Sequence, residues 1–369
     1  MRILFSATPA HGHALPMMPM ARAAMSAGHE VSLLTHGALS GVVHPVPVLA
    51  AGPAFDELFA EFSDRAPMPR TSMKTPEGIA EFFVDIRVAA TLDPAMNVAA
   101  AFRPDLLIAD SADEVGPLVA GKLDVPWAEH SLGMAIAGNF SAATAAARTR
   151  LRESRGLHRS ARIAYLDICP VALQAVDWEP PGDRIAVRPS PFDSESGWMP
   201  PVFDKPTKPT VLVTFGTMLD DAPLLRETLE RLAAAEVNVL VTSMPNRPRP
   251  ELRDLHGWVR DIGFVPLARV LPVVDAVVCA GGMGTVLAVL ANGLPFVGLP
   301  RFPSQRWITT RAAELGGGLV LEEPEGVAEA LVSLLSDERY RSGAGAASAL
   351  LAQMAEPAEA LTKLLELVR

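Results

Sequence analysis

One pattern occurs twice in this chain: an apolar strand, a loop, a helix and a second apolar strand, each copy spanning about 30 residues. The elements predicted for the first copy are strand 2–6, loop 7–16, helix 17–27 and strand 31–34, and those for the second are strand 210–215, loop 216–223, helix 224–235 and strand 237–242. This length allows a right-handed crossover between parallel strands. Because each half of the chain carries the unit, it predicts two parallel α/β sheets in tandem.

Uninterrupted apolar runs support the same fold class. Residues 106–109 in the first half and 276–279 in the second are apolar without alternation. Strands of this kind are buried on both faces, as in parallel sheets covered by helices. The predicted fold class is therefore α/β, with two Rossmann-like, doubly wound parallel-sheet domains that face each other across a cleft.

A proline-rich segment separates the two halves. Residues 179–209 are rich in proline and show little periodicity, which is typical of a linker. We place the domain boundary near residue 205, so that the domains cover 1–204 and 205–355. A helix is predicted at 357–368, and the sequence does not decide whether the segment 356–369 packs back on the first domain.

The acidic charge balance limits the partners of the chain. Its 369 residues include 32 Lys and Arg against 42 Asp and Glu, a formal net charge of −10. Nucleic acids and anionic membranes attract concentrated positive charge, so neither is an expected partner. The apolar segment 273–300 is long enough to span a bilayer, but glycines and Pro295 interrupt it. Membrane insertion is therefore not expected either.

The cysteines and the N-terminal residues favour a cytoplasmic location. Cys169 and Cys279 lie far apart, and neither belongs to a CxxC motif, so no disulfide framework or zinc cluster is predicted. The first residues lack the apolar stretch of a signal peptide. The sequence leaves open whether the chain forms a homodimer or needs an auxiliary protein.

The loop predicted after the first strand carries a candidate general base, His13. In open parallel sheets ligands bind beyond the carboxyl ends of the strands, and an imidazole there can take a proton from a hydroxyl. Asp110 follows the strand 106–109 and is expected at the same edge, where Asp113 and Glu114 compete to orient the imidazole. A solvent-exposed histidine and a helix-capping aspartate are the alternatives.

Glycine-rich turns form the second candidate site. They are Gly281, Gly282, Met283, Gly284 and Thr285 between a buried strand and a helix, and Gly216 and Thr217 after the strand 210–215. Glycines let a ligand approach the backbone, and the N–H groups of a helix N-terminus favour a phosphate, although such turns can also serve packing alone. Neither a Walker lysine nor a GxGxxG motif is present. A P-loop ATPase and a nicotinamide-dependent oxidoreductase are therefore disfavoured.

Residues 53–100 are weakly periodic and carry several large apolar side chains. Among them are Met68, Met73, Phe82 and Phe83. Methionine and phenylalanine can line an apolar pocket or form the core face of a helix, and the core interpretation is favoured.

Four short motifs occur in the order and spacing of family 1 glycosyltransferases. They are Gly12-His13 with Pro16; Val213-Thr214-Phe215-Gly216-Thr217; Gly263-Phe264-Val265-Pro266 with Leu271; and Gly281–Thr285 with Gly293-Leu294-Pro295 and Pro300. Each is short, but together they span the chain. The chain therefore resembles a GT-B glycosyltransferase of family 1, most of all the bacterial enzymes that glycosylate antibiotics and other natural products.

The resemblance implies an inverting glycosyltransferase without metal or other cofactor, because helix-end donors and side chains carry the charge of the leaving diphosphate. Its co-substrate would be a nucleotide sugar, TDP-linked rather than UDP-linked, and its acceptor a small hydrophobic natural product. His13 would deprotonate the acceptor hydroxyl, with Asp110 as its partner. The other implied contacts are Phe264 and Val265 with the nucleobase; Gly216, Thr217 and Ala280–Thr285 with the diphosphate; Ser304 and Gln305 with the sugar; and Gly12, Phe82 and Met134 with the acceptor.

Two positions depart from the family pattern. The family usually has a histidine before the Gly-Gly pair and an aspartate before the glutamine, where this chain has Ala280 and Ser304. Loss of the aspartate fits a deoxysugar, which has fewer hydroxyls, and Arg301 or Arg306 could replace the charge near the diphosphate. Both departures also fit the alternative function, a non-catalytic GT-B homologue that acts as a binding or auxiliary protein.

Overall fold

The structure, a computed structural model, divides the chain into two compact units. It describes residues 1–65, 73–136, 138–156, 161–191, 193, 198–203, 205, 207–216, 221–243 and 257–368. The first unit comprises Met1–Val171, Val176–Arg188 and Ala355–Arg369, and the second comprises Ala172–Ala175 and Pro189–Met354. The continuous part of the second unit, Pro189–Met354, begins within the proline-rich segment, whereas the sequence placed the boundary near residue 205.

The first unit is built on a seven-stranded parallel sheet. Its strands are β1 Arg2–Ser6, β2 Glu30–Thr35, β3 Val48–Ala50, β4 Leu106–Asp110, β5 Trp127–His130, β6 Arg162–Asp167 and β7 Arg184–Ala186. Their spatial order is β3-β2-β1-β4-β5-β6-β7. Every residue of β4 is buried, as the uninterrupted apolar run predicted.

Helices cover this sheet and lead into its loops. They are α1 His11–Ala14, α2 Met18–Ser26, α3 Ser40–Val43, α4 Phe55–Arg65, α5 Pro76–Ala80, α6 Arg87–Phe102, α7 Val115–Leu123 and α8 Gly138–Arg155, with a 3₁₀ turn at Leu15–Met17 and a π-helical turn at Glu81–Ile86. A main apolar cluster packs α6 and α7 against the sheet. A smaller one, built around Leu58, Phe62, Phe82 and Ile86, joins α4 to the π-helical turn.

The loop predicted at 7–16 is shorter in the structure, because helix α1 already begins at His11. Ala10 has an extended backbone and caps α1 without a side-chain hydrogen bond, so the polar cap that usually marks a helix start is missing from the sequence. Pro16 lies in the first positions of the following 3₁₀ turn, which a proline tolerates. His13 therefore lies in a helical turn and not in an irregular loop.

The second unit repeats the parallel architecture with six strands. They are β8 Thr210–Thr214, β9 Asn238–Thr242, β10 Val259–Gly263, β11 Ala276–Cys279, β12 Phe296–Gly298 and β13 Gly318–Val320, in the order β10-β9-β8-β11-β12-β13. The helices are α9 Ala222–Leu232, α10 Leu267–Val270, α11 Met283–Ala291, α12 Pro303–Glu314, α13 Val327–Ser336 and α14 Glu338–Ala352. Both predicted parallel sheets are thus present.

The last helix, α15 Pro357–Glu366, packs against α2 and β7 of the first unit. It buries one face through Ala360, Leu361 and Leu364. The N–H of Arg188 also donates to the carbonyl of Ala355, at 2.7 Å. The sequence left open where this segment packs, and in the structure it packs against the first unit. Within the residues that the structure describes, no helix is both long and apolar enough to cross a membrane.

Candidate active site

The imidazole of His13 lies against the carboxylate of Asp110. Strands β1 and β4 are parallel neighbours, with Ser6 opposite Ala109, so the chain that leaves β1 reaches the edge where β4 ends. Nδ1 of His13 lies 3.3 Å from Oδ1 of Asp110. The His13 side chain is 17% exposed, whereas that of Asp110 is fully buried. The two residues predicted as base and partner are therefore within hydrogen-bonding distance.

His13 and two backbone N–H groups keep Asp110 ionised. Its Oδ2 accepts the N–H of Thr8 and its Oδ1 accepts the N–H of Ala112, both at 2.7 Å. Burial raises the pKa of Asp110, but His13 and these two backbone donors lower it more, so the pKa lies below its ordinary value. Because a carboxylate only accepts, His13 donates through Nδ1, which leaves the lone pair of Nε2 to act as a base.

The two competing carboxylates are engaged with other groups. Asp113 accepts the hydroxyl of Ser6 and the guanidinium of Arg87, whose Nη2 lies 2.8 Å from Oδ1. Glu114 pairs with Arg148, 2.9 Å from its Nε. Of the three carboxylates that the sequence offered as partners of His13, the structure places Asp110 against it.

An aromatic cluster extends from the core of the first unit to His13. Phe82 is completely buried among other phenylalanine rings, including that of Phe62 at 5.8 Å between centroids. It has no exposed surface for the acceptor contact predicted for it. Phe83 is partly exposed, and its ring centroid lies 5.5 Å from that of His13. Met73 packs at the margin of the cluster, and Met68 lies outside the described residues.

The other two residues predicted to bind the acceptor are Gly12 and Met134. Gly12 is exposed, and a Cβ added there would meet no atom within 4 Å, so packing does not require glycine at this position. Met134 is buried in the loop after β5. Beside His13 in α1, burial lowers the pKa of His11. The acceptor contacts of Gly12 and Met134 stay predictions.

His130 is a buried histidine near Asp110 that the sequence analysis did not single out. It ends β5 directly opposite Asp110 and is only 1% exposed. Its Nδ1 lies 2.7 Å from the carbonyl oxygen of Ser131 and therefore donates to it. Burial lowers the pKa of His130 to about 4, although Ser131 and Asp110 oppose this shift. The imidazole is accordingly neutral at pH 7. The sequence Trp127-Ala128-Glu129-His130 carries no local signal that singles out this histidine.

In the second unit, the glycine-rich turn leads from β11 directly into α11. Gly282 is the N-cap of α11 and makes no side-chain capping hydrogen bond, so a ligand can meet the N–H groups of the helix. Gly281 has φ +78°, and a Cβ there would lie 2.3 Å from Cγ2 of Thr309; glycine is required by the backbone and by packing. Gly284 is exposed and meets neither restriction.

The two residues predicted to contact the sugar lie beside this turn. A Cβ on Gly281 would lie 3.2 Å from the carbonyl oxygen of Gln305, in the first turn of α12. The side-chain Oε1 of Gln305 accepts the N–H groups of Arg301 at 2.8 Å and Phe302 at 3.1 Å. Its Nε2 amide group is therefore left as a donor. Ser304, the preceding residue, is half-buried.

The two arginines considered as substitutes for the missing histidine form ion pairs. Arg301 lies 3.1 Å from the carboxylate of Glu323, and Arg306 pairs with Glu322. Both glutamate side chains are largely exposed, and exposed ion pairs contribute little, about 0–1 kcal/mol. In the structure both guanidinium groups therefore point towards glutamates.

The remaining described donor contacts that were predicted lie just after the ends of β8, β10 and β11. Gly216 has φ +71°, which favours glycine, whereas Thr217 lies outside the described residues. Phe264 is 40% exposed, and Val265 is half-buried. Ala280 is buried in the core cluster of the unit, so its methyl group contributes packing and no hydrogen bond.

Comparison with known proteins identifies the family. Residues 22–216 match the N-terminal domain described as "Erythromycin biosynthesis protein CIII-like", and residues 226–367 match the C-terminal domain of the same description. The chain belongs to the erythromycin biosynthesis protein CIII-like family. The resemblance to antibiotic glycosyltransferases drawn from the motifs is therefore confirmed.

Individual relatives agree with this assignment. The CIII-like chain is 30% identical to L-demethylnoviosyl transferase of Streptomyces niveus, over 87% of this chain and 85% of that protein. It is also 30% identical to the elloramycin glycosyltransferase ElmGT of Streptomyces olivaceus, over 99% and 97% of the two chains. The solved structure of the glycosyltransferase SsfS6 of Streptomyces sp. SF2575, complexed with thymidine diphosphate, aligns with a TM-score of 0.83, 25% identity and 99% coverage of both chains.

This protein is a glycosyltransferase with the GT-B fold. Both predicted parallel sheets are present, and the relatives named above carry this activity in their names. Among the described residues, no group of three or more His, Cys, Asp and Glu side chains is arranged to hold a metal ion.

Proposed function

We propose that this protein is an inverting glycosyltransferase that moves a deoxyhexose from TDP to a hydroxyl of a hydrophobic natural product, with His13 as the general base. The observation that carries the proposal is the contact between His13 and Asp110. Asp110 is anchored by two backbone N–H groups and stays ionised, so the imidazole is held in the tautomer whose Nε2 accepts a proton.

The reaction is a single displacement. Nε2 of His13 takes the proton of the acceptor hydroxyl while the hydroxyl oxygen forms a bond to the anomeric carbon of the sugar. The bond between that carbon and the diphosphate oxygen breaks, and TDP leaves with the electron pair, so the configuration is inverted. The carboxylate of Asp110 stabilises the imidazolium that forms.

The second unit binds the donor. The N-terminus of α11 and the open position at Gly284 accommodate the diphosphate, and the exposed ring of Phe264 packs against the nucleobase. The thymidine diphosphate bound to SsfS6 supports TDP as the nucleotide. Ser304 in place of an aspartate supports a sugar with few hydroxyl groups. The partly exposed ring of Phe83 beside His13 supports a hydrophobic acceptor.

Calorimetry with TDP and UDP in metal-free buffer tests the donor assignment. We expect saturable binding of TDP that is about tenfold tighter than that of UDP, a difference of about 1.4 kcal/mol. Absence of binding by both nucleotides would contradict the donor site. Equal binding of the two nucleotides would contradict only the preference for TDP and not the donor site.

A His13→Ala variant tests the base. Transfer is followed by mass spectrometry with TDP-L-rhamnose as the deoxyhexose donor and a panel of apolar phenols and alcohols as acceptors. We expect kcat to fall by about 10²–10⁴, with TDP affinity unchanged because the nucleotide binds the second unit. His29→Ala, at the opposite end of the strands, is the control and should keep full activity. Near-normal transfer by His13→Ala would refute the assigned base.

A further inference from the structure

Phe83 is the aromatic residue that the fold brings to the proposed base. It lies in the π-helical turn Glu81–Ile86, next to the fully buried Phe82. The two rings meet edge to face, with centroids 4.9 Å apart and an angle of 79°. Phe82 is thereby inserted in the core cluster, while the partly exposed ring of Phe83 reaches within 5.5 Å of the His13 ring at an angle of 32°.

The position of Phe83 relative to His13 is fixed by a buried ionic network. Arg87 begins α6 directly after the π-helical turn and is 2% exposed. Its guanidinium pairs with Asp113 and donates to the carbonyl of Ala7 at 3.0 Å. Ala7 lies in the segment that leads from β1 to His13. The network therefore ties the turn that carries Phe83 to the segment that carries the base.

A π-helical turn changes which side chains of a helix share a face. In a regular α-helix, side chains three or four positions apart share a face, but the wider π turn shifts this phase and is often found at functional sites. Here Phe82 is a core residue, and the next residue of the turn, Phe83, lies beside His13.

We propose that Phe83 is a positioning and specificity residue of this glycosyltransferase, an inference that rests on the proposed role of His13. Its ring packs against the imidazole and supports the orientation that donates to Asp110. Its partly exposed surface contacts the apolar ring of the acceptor next to the reacting hydroxyl. The centroid of the Phe83 ring lies 5.5 Å from that of the imidazole, so an acceptor whose hydroxyl is bound by Nε2 would have its carbon skeleton near Phe83.

Chemical labelling of His13 tests the contact without requiring activity. Diethyl pyrocarbonate acylates neutral, accessible imidazoles, and mass spectrometry resolves the rate at each histidine. In Phe83→Ala we expect His13 to react roughly two- to tenfold faster, because a ring contact of ordinary strength is lost. In Phe83→Leu, which keeps an apolar cover, the rate should stay close to that of the wild type.

Phe82→Leu is the matched control. It changes the neighbouring ring, which lies in the core, so the thermal midpoint should fall while the labelling rate of His13 in the folded protein is unchanged. Equal labelling of His13 in the wild type and in folded Phe83→Ala would overturn the contact. Faster labelling in Phe82→Leu as well would show that any loss of aromatic packing exposes His13, and would overturn the specific role of Phe83.

The kinetic experiment separates the two roles. With the acceptor that reacts best in the panel, Phe83→Ala should raise the acceptor KM about tenfold and lower kcat several-fold, whereas Phe83→Leu should restore most of both. TDP affinity should not change. If His13→Ala abolishes transfer but Phe83→Ala keeps the wild-type kcat and KM, this inference fails and the proposed function stands. If His13→Ala remains active, the proposed base fails, and the labelling experiment still decides the contact.

Discussion

Replacing Asp110 by asparagine keeps the shape of the side chain but removes one accepting oxygen and the charge. The wild-type carboxylate accepts from Thr8 through Oδ2 and from both Ala112 and His13 through Oδ1. An amide offers one oxygen only, so either orientation leaves its NH₂ group facing a donor or the imidazole. Either orientation leaves one backbone N–H without an acceptor, but only one of them changes the tautomer of His13, and both effects can be measured.

If the amide oxygen stays with Ala112 and His13, the buried N–H of Thr8 loses its acceptor, which costs about 1–3 kcal/mol of unfolding free energy. If the amide turns round, the N–H of Ala112 loses its acceptor instead, and the NH₂ group donates to Nδ1 of His13. The ring proton then moves to Nε2, and the base is lost. For the corresponding aspartate of a serine protease, this wrong tautomer lowers kcat about 10⁴-fold.

We therefore expect Asp110→Asn to lower kcat by about 10²–10⁴ with little change in acceptor KM, and to lower the thermal midpoint. The pKa of Asp110 is depressed in the folded protein. Its carboxylate thus stabilises the fold above its unfolded pKa, near 3.8, and this contribution is lost as the pH falls further. Urea unfolding at pH 7 and pH 3 should show a smaller acid-induced loss of stability in the variant.

Asp105→Asn is the matched control for this prediction. Asp105 accepts one backbone N–H, that of Arg2 at 2.7 Å, just before β4 begins, and it is exposed to solvent. It should keep the wild-type kcat. An Asp110→Asn protein that folds and retains kcat within about threefold of the wild type would refute the tautomer argument, since general-base catalysis contributes at least about 10².

Three further predictions follow from the same structure. Gly281→Ala should lower the unfolding free energy by about 2–4 kcal/mol in urea titrations, because φ is +78° and the new Cβ meets Thr309. The matched variant Gly284→Ala should leave the unfolding free energy equal or slightly higher. It should weaken TDP binding in calorimetry about tenfold. Gln305→Glu should keep the hydrogen bonds from the N–H groups of Arg301 and Phe302, and with them the thermal midpoint, but should raise the donor KM. Gln305→Ala should lower the thermal midpoint and raise the donor KM. An equal donor KM in the wild type and both variants would contradict a sugar contact. Burial lowers the pKa of His130 to about 4, so as the pH falls from 6.5 towards 4 the unfolded chain is protonated at this histidine before the folded protein is. Over that range the wild type should therefore lose roughly 3 kcal/mol more unfolding free energy than His130→Gln. An equal loss of unfolding free energy in the two proteins, measured by urea titration, would contradict a buried neutral imidazole.

The sequence by itself determined the architecture of both units. Strand β11 was predicted with its observed bounds, and β4 to within one residue, because an uninterrupted apolar run ended by polar or glycine residues is a local signal. Gly281 was recognisable for a similar reason, since a glycine between a buried strand and a helix marks a tight turn. The order of the short motifs was enough to indicate the family.

Only the tertiary structure decided which neighbouring residues form the site. Asp110, Asp113 and Glu114 are equivalent candidates along the chain, and the pairing of β4 with β1 selects the one that meets His13. Phe82 and Phe83 are equally apolar neighbours, and the packing of the turn that carries them buries the first and leaves the second partly exposed. Local spacing cannot supply these choices, because they depend on strand register and on packing between segments that are distant along the chain.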